Sequence, residues 1–215
     1  MNKAVIFDLD GTLLHTLPDI LENINYMLSH YGYPLLDEQT IKGYIGTGAR
    51  NLVKYSVNVS LTETELDDRL AYYNTFYTAS PSLKTKIFDG IAEVLTALKN
   101  KGYKLAILTN KPQETTDTVY KNHLSKFGFD KVVGQSGKVK CKPDKTATLS
   151  ILNELDVLPE NAYFVGDGET DVETSINAGT KGIAVLWGYR SKEQLKKAGA
   201  TVFANTPADL LNLIK

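Results

Sequence analysis

The sequence predicts an α/β protein: a doubly wound, parallel, Rossmann-like sheet with a small all-helical domain inserted after its first strand. Three observations predict it. Short apolar runs with no inward/outward alternation recur along the chain and read as strands buried on both faces. From residue 87 onward these runs alternate with amphipathic helical patterns, the rhythm of βα units. Residues 15–86 break that rhythm with helical patterns and no convincing strand, and they are far longer than a plain crossover requires.

The strands are expected at residues 4–7, 104–108, 131–133, 162–165, 182–186 and, more briefly, 201–203. Between them, helices are expected at 91–100, 113–127, 145–155, 171–178 and 192–198. Gly102, Gly128 and Gly179 follow three of these, where a helix commonly ends on a residue with positive φ. Inside the insert, helices are expected at about 19–30, 37–44, 49–57 and 63–79. Pro18 suits a first helical position, and Thr62-Glu-Thr-Glu65 has capping-box spacing. The expected division is 1–14 with 87–215 as the α/β core, and 15–86 as the helical domain.

Composition narrows the function classes. The 215 residues are 42% hydrophobic and 23% charged, an ordinary globular balance with enough length to bury a core unaided. With 24 basic and 25 acidic residues the net charge is −1, which argues against a nucleic-acid or polybasic membrane surface. Cys141 is the sole cysteine, and His15, His30 and His123 are scattered, so neither a disulfide nor a zinc cluster is expected. The apolar run at 4–7 is too short for a signal-peptide core. No stretch approaches the roughly 20 apolar residues of a membrane span. The expected setting is cytoplasmic, as a monomer or weak homodimer with neither nucleic-acid nor membrane partners.

The chemically informative residues fall at strand ends. Asp8 and Asp10 follow the first strand, Thr109 and Asn110 the second, and Asp167 and Asp171 the fourth, while Lys142 lies in the loop before the helix that precedes that fourth strand. Open α/β sheets bind ligands outside the carboxyl ends of their strands, so these loops are expected to share one crevice. Four carboxylates there cannot all ionise without a cation. Oxygen-only ligands select a hard ion, Mg²⁺ over zinc. Lys142 would balance a bound phosphate, with Thr109 and Asn110 as donors. Gly11 would free the backbone to turn, aiming Asp8 and Asp10 at opposite ends of one phosphate. Asp8 then suits a nucleophile and Asp10 a general acid/base.

The run Asp8-Leu-Asp10-Gly11-Thr12 resembles the first motif of the haloacid dehalogenase superfamily in its phosphatase form. Thr109 resembles its second motif, Lys142-Pro143 its third, and Gly166-Asp167-Gly-Glu-Thr-Asp171 its fourth. The helical insert corresponds to that superfamily's C1-type cap. Leu108-Thr-Asn-Lys-Pro112 and Tyr44-Ile-Gly-Thr-Gly48 are similar to the phosphoglycolate phosphatase-like branch. The resemblance implies Asp8 as nucleophile and metal ligand, and Asp10 as acid/base whose backbone carbonyl also ligates the metal. It implies Asp167 as a direct Mg²⁺ ligand and Asp171 as an outer-sphere or alternative one. A small phosphorylated metabolite, phosphoglycolate first, is the implied substrate; a phosphomutase of the β-phosphoglucomutase type and a pyrophosphatase share the fold. His15 stands where this branch often carries an acidic residue, and Gly168 where it often carries serine.

Blander readings accompany these. Asp171 can cap the following helix and still ligate. Glu169 reads as solvated, and Asp144 as a helix cap. The tyrosine-rich stretch 72–77 has helical spacing and reads as packing between helices of the insert. Gly46-Thr47-Gly48 could bind an anion at a helix start. Arg50 carries no assigned role, and residues 187–190 are expected near the crevice rim. A signalling receiver domain, phosphorylated on aspartate without catalysis, would be shorter and lack the insert. A non-catalytic relative would have lost at least one of Asp8, Asp10, Lys142 or Asp167, and all are present.

Overall fold

A computed structural model describes residues 2–80 and 82–215. In chain order its elements are β1 (Ala4–Phe7), β2 (Leu14–His15), α1 (Leu17–His30), α2 (Glu38–Tyr44), α3 (Ala49–Val57), α4 (Glu63–Ala79) and β3 (Lys86–Ile87). There follow α5 (Ile91–Asn100), β4 (Lys104–Pro112), α6 (Gln113–His123), β5 (Lys131–Gln135), α7 (Thr146–Glu154) and β6 (Ala162–Gly166). The chain closes with α8 (Glu169–Ala178), β7 (Lys181–Val185), α9 (Lys192–Lys197), β8 (Phe203–Ala204) and α10 (Leu210–Leu213).

Six strands form one parallel sheet in the order β5-β4-β1-β6-β7-β8. β1 is central: Phe7 is in register with Ile107 on one side and Val165 on the other. Successive side chains of a strand face opposite ways. Val5 and Phe7 therefore pack with Ile91, Val94 and Leu98 of α5 on one face, while Ala4 and Ile6 pack with Ile151 and Leu152 of α7 on the other. Both faces are covered, which is why no alternation shows in the sequence. Truncating Phe7 to alanine there would cost about 3–5 kcal/mol.

Helices α1–α4 gather around a separate apolar cluster that includes Ile20, Ile24, Met27, Val53, Leu66, Tyr73 and Tyr77. The α4 capping box forms as its spacing predicts, and Gly102, Gly128 and Gly179 all take positive φ. Among the described residues, no helix is long and apolar enough to cross a membrane.

The differences from expectation have local causes. β2 and β3 pair antiparallel, Leu14 with Ile87 and His15 with Lys86, at the two points where the chain enters and leaves the helical insert. Two residues per strand are too few to show a period. β4 runs on to Pro112, with its register shifted between Leu108 and Pro112, so Thr109 and Asn110 lie in extended chain and not in a loop. α6 stops at His123 and a 3₁₀ turn covers Ser125–Phe127. α8 begins at Glu169, β7 sits one residue earlier than expected, β8 is Phe203–Ala204, and Pro18 lies one residue inside α1.

Two polar ties hold the entry and exit segments. Asp19, buried at the start of α1, accepts from the Thr85 N–H at 2.6 Å and from its hydroxyl at 2.5 Å. The Tyr189 hydroxyl accepts the Thr16 and Leu17 N–H groups, both at 3.0 Å, satisfying donors that a helix start leaves free.

Candidate active site

Strand ends supply the site. β1 runs directly into Asp8, β6 into Asp167 and α8 carries Asp171 in its first turn. The carboxylates of Asp8, Asp167 and Asp171 each offer an oxygen within 4.8 Å of the others, and all three residues are buried. Lys142 reaches into this group, with Nζ 2.7 Å from Asp8 Oδ1 and 2.6 Å from Asp171 Oδ1.

The neighbouring backbone is shaped to admit these carboxylates. A Cβ on Gly11, whose φ is +85°, would meet Asp167 Oδ2 at 2.3 Å; one on Gly188 would meet Asp167 Cβ at 2.2 Å. Asp167 accepts from the Thr12 hydroxyl at 2.9 Å and from the Tyr189 N–H at 2.7 Å. Asp171 accepts from the Gly168 N–H at 2.8 Å, so it caps α8 as well as facing Lys142.

Electrostatics show a shortage of positive charge. Burial, then the charge of Asp171, pushes Asp8 from 3.8 up to about 8, against the opposing pull of Lys142. Burial and Asp171 push Asp167 from 3.8 up to about 7. Burial opposes the charge on Lys142, but Asp171 and Asp8 outweigh it and hold the ammonium above its usual range. One lysine does not balance three buried carboxylates, and a bound cation would. The donors are all carboxylate oxygen, which suits a hard ion.

Asp10 departs from the expected grouping. Its carboxylate does not join the other three; Oδ2 instead pairs with Lys111 Nζ at 3.0 Å. Its Oδ1 is buried without a hydrogen-bond partner. Thr109 lines the cavity, and its hydroxyl oxygen accepts the Lys111 N–H at 3.2 Å. The side chain of Asn110, expected as a phosphate donor, is committed to backbone: it accepts from Lys142 N–H at 2.7 Å and donates to the carbonyls of Lys142 at 3.2 Å and Gly46 at 2.9 Å. The Gly11 N–H donates to the Leu14 carbonyl at 2.8 Å, and the glycine takes the positive φ of the turn expected there while making room for Asp167.

The helical insert closes the crevice to a cavity of about 40 Å³, bounded by Gly46, Gly48, Tyr73 and Tyr77 opposite Asp8, Asp10 and Lys142. Arg50 turns away to pair with Glu63 and Asp67, and His15 sits between the rings of Phe88 and Tyr189. Arg190, on the segment after β7, donates to the carbonyls of Lys42 at 2.8 Å and Ile45 at 2.6 Å while pairing with Glu169 at 2.8 Å. Asp144 accepts from the Thr146 N–H at 2.8 Å and lies one residue ahead of Lys145, which holds the N-cap position of α7.

Sequence reading gave Lys111 no role of its own and took Tyr77 only as packing, though both line the cavity. Tyr189 and Arg190 belong to the 187–190 segment expected at the crevice rim, and they do line it. For Lys111 a signal existed: in extended chain it shares a face with Thr109, two residues earlier. Tyr73 and Tyr77, four apart on α4, share a helix face that both packs the insert and lines the cavity. Tyr72 and Phe76 face outward onto Tyr26 and His30.

Fold and site together define a hydrolytic enzyme of the phosphatase type, and comparison with known proteins gives its family. The model of the haloacid dehalogenase-like hydrolases matches residues 5–185, and the chain belongs to that family. An N-acetylmuramic acid 6-phosphate phosphatase of Pseudomonas aeruginosa is 30% identical, over 99% of this chain and 94% of its own. A phosphoglycolate phosphatase of Aquifex aeolicus is 32% identical, over 99% of this chain and 96% of its own. A crystal structure from Lactobacillus delbrueckii subsp. bulgaricus, provisionally assigned as a phosphoglycolate phosphatase, superposes with a TM-score of 0.91 at 30% identity, covering 100% of this chain and 99% of the other.

Proposed function

We propose that the protein is a Mg²⁺-dependent phosphatase that hydrolyses a small phosphomonoester in two in-line steps through phospho-Asp8. The observation that best supports this is Lys142 Nζ, 2.7 Å from Asp8 and 2.6 Å from Asp171, inside a buried cluster whose carboxylates need a further cation. Asp8, Asp167 and Asp171 would hold Mg²⁺, with the Asp10 carbonyl as the family implies. The ion would neutralise their charge and that of the bound phosphate.

Asp8 attacks phosphorus, forming the Asp8–phosphorus bond as the ester P–O bond breaks. Lys142 steadies the equatorial oxygens, and the Thr109 hydroxyl offers a donor beside it. Asp10, whose Oδ1 lacks a partner, gives a proton to the leaving oxygen. It then takes one from the water that attacks phospho-Asp8 and releases phosphate. Residues 15–86 act as a cap that excludes bulk water during both steps and opens for release.

Phosphoglycolate is the first substrate to test and N-acetylmuramic acid 6-phosphate the second, on the strength of relatives matched over nearly the whole chain. Both are phosphomonoesters that also carry a carboxylate.

The test is hydrolysis of p-nitrophenyl phosphate by purified protein, dependent on Mg²⁺ and abolished by EDTA. Asp8→Asn is expected to be inert. Acid-quenched Asp10→Asn should gain the mass of one phosphoryl group, located on Asp8. Equal activity in Asp8→Asn and the parent would defeat the mechanism.

A further inference from the structure

The cavity holds a second polar pair that phosphoryl transfer does not use. Lys111 leaves the extended end of β4 with only 3% of its side chain exposed. Its Nζ donates to Asp10 Oδ2 at 3.0 Å and to the Tyr77 hydroxyl at 2.9 Å. An ammonium has three N–H donors, so one has no partner among the described residues. Tyr77 comes from α4, on the other side of the cavity. Its oxygen accepts from Lys111, which leaves its own O–H proton to be donated elsewhere. Burial holds the phenol well above its usual range, so that proton stays in place. Ile20, Ile45 and Leu52 wall the same space.

We propose that Lys111 and Tyr77 form an anion subsite selecting phosphomonoesters whose leaving group carries a carboxylate close to the ester oxygen. This rests on the phosphatase reading above and names its substrate class. With Asp10 at the leaving oxygen, Lys111 stands one hydrogen bond further along. Two hydrogen bonds in series span roughly 5–6 Å, a separation that a carboxylate one carbon from the ester oxygen can bridge. A neutral leaving group would leave a buried ammonium with an unmet donor, the kind of mismatch that sites reject most strongly. Because Lys111 belongs to the sheet and Tyr77 to the insert, the carboxylate would bond both sides of the crevice. The subsite is complete only when the insert is closed, so the correct substrate itself favours closure.

The experiment compares 2-phosphoglycolate with its neutral amide, 2-phosphoglycolamide, on the full-length protein with Mg²⁺. The parent is expected to favour the carboxylate by about 100-fold or more in kcat/KM, the scale of a lost charged hydrogen bond. Lys111→Gln should shrink that ratio at least tenfold, and Tyr77→Phe should shrink it less. The subsite is overturned if the parent turns over amide and carboxylate alike, or if Lys111→Gln slows both equally and preserves the ratio. Activity on p-nitrophenyl phosphate with none on either ester also overturns it. The parent comparison decides even where a variant does not fold, and p-nitrophenyl phosphate hydrolysis tests the phosphatase reading separately.

Discussion

The side-chain amide of Asn110 donates to the Gly46 carbonyl at 2.9 Å, fastening the end of β4 to the loop that leads into α3. The same side chain accepts from the Lys142 N–H and donates to its carbonyl. One residue therefore sets the position of the site lysine and ties down the segment that closes over it. Arg190 grips the same stretch through Lys42, Gly43 and Ile45. The carbonyls of Lys42, Gly43, Ile45 and Gly46 are thus met by one side chain from β4 and one from the segment after β7.

Asn110→Ala removes these three hydrogen bonds and strands the buried Lys142 N–H. An unmet buried donor costs about 1–3 kcal/mol, so calorimetry should show Tm lower by roughly 4–10 °C. Steady-state kinetics should show kcat/KM down at least tenfold, since both the lysine and the closing loop are loosened. An unchanged melting point would mean that water replaces the amide.

Gly11→Ala tests the packing beneath the acidic cluster. A Cβ there would sit 2.3 Å from Asp167 Oδ2, on a backbone at φ +85°. Both faults act on one carboxylate, because left-handed backbone is unfavourable to alanine and Asp167 has no slack between Thr12 and Tyr189. Mg²⁺ affinity by titration calorimetry should fall at least tenfold while far-ultraviolet circular dichroism stays native. Affinity equal to the parent's would show that the carboxylate can move aside freely.

Much of this was legible in the sequence because strands buried on both faces leave an unmistakable apolar run and the reacting groups sit at their ends. Asp8, Asp167, Asp171 and Lys142 were assembled by topology alone: parallel strands with right-handed returns must bring those ends together. What was not legible depends on distances. Spacing separates the roles of Asp8 and Asp10, but it does not show that Asp8 joins the acidic cluster while Asp10 faces Lys111. Asn110 looks like a free donor, but its amide is consumed by Lys142 and Gly46. Tyr77 could not be separated from its packing neighbours because helical periodicity marks a face without saying what lies across from it. The β2–β3 ribbon was invisible for the simplest reason, its length.

Metal binding and pH should be linked. Asp8 and Asp167 rise from 3.8 in the unfolded chain to about 8 and about 7 in the metal-free fold. Between pH 5 and 8 the folded protein therefore holds protons that the unfolded chain has released. Its stability is present at the low end and lost as pH rises through the folded values. Carboxylates held low by hydrogen bonds, such as Asp130 and Asp209, act only in more acidic solution. With EDTA, Tm should fall from pH 5 to pH 8. Saturating Mg²⁺ should raise it by roughly 5–10 °C at pH 8 and by clearly less at pH 5, where protons compete for the same oxygens. A metal-free protein that grows more stable across this window would contradict the electrostatic account.

Asp8→Asn should trade function for stability. Burial and the charges of Asp171 and Asp167 disfavour an ionised Asp8, and Lys142 only partly offsets them. The amide has nearly the same shape and no charge to desolvate, and Lys142 keeps Asp171 as its partner at 2.6 Å. Without metal at pH 8, the variant should therefore melt above the parent by roughly 3–8 °C, corresponding to about 1–3 kcal/mol. At pH 5 the parent's Asp8 is already protonated, and the difference should disappear. Added Mg²⁺ should reverse the order at pH 8, because it stabilises only the protein that still presents the full carboxylate set. Strain held at a reacting residue is relieved when that residue is removed, so an inert variant less stable than the parent under metal-free conditions would show that Asp8 is a structural anchor and not a charge kept in place for chemistry.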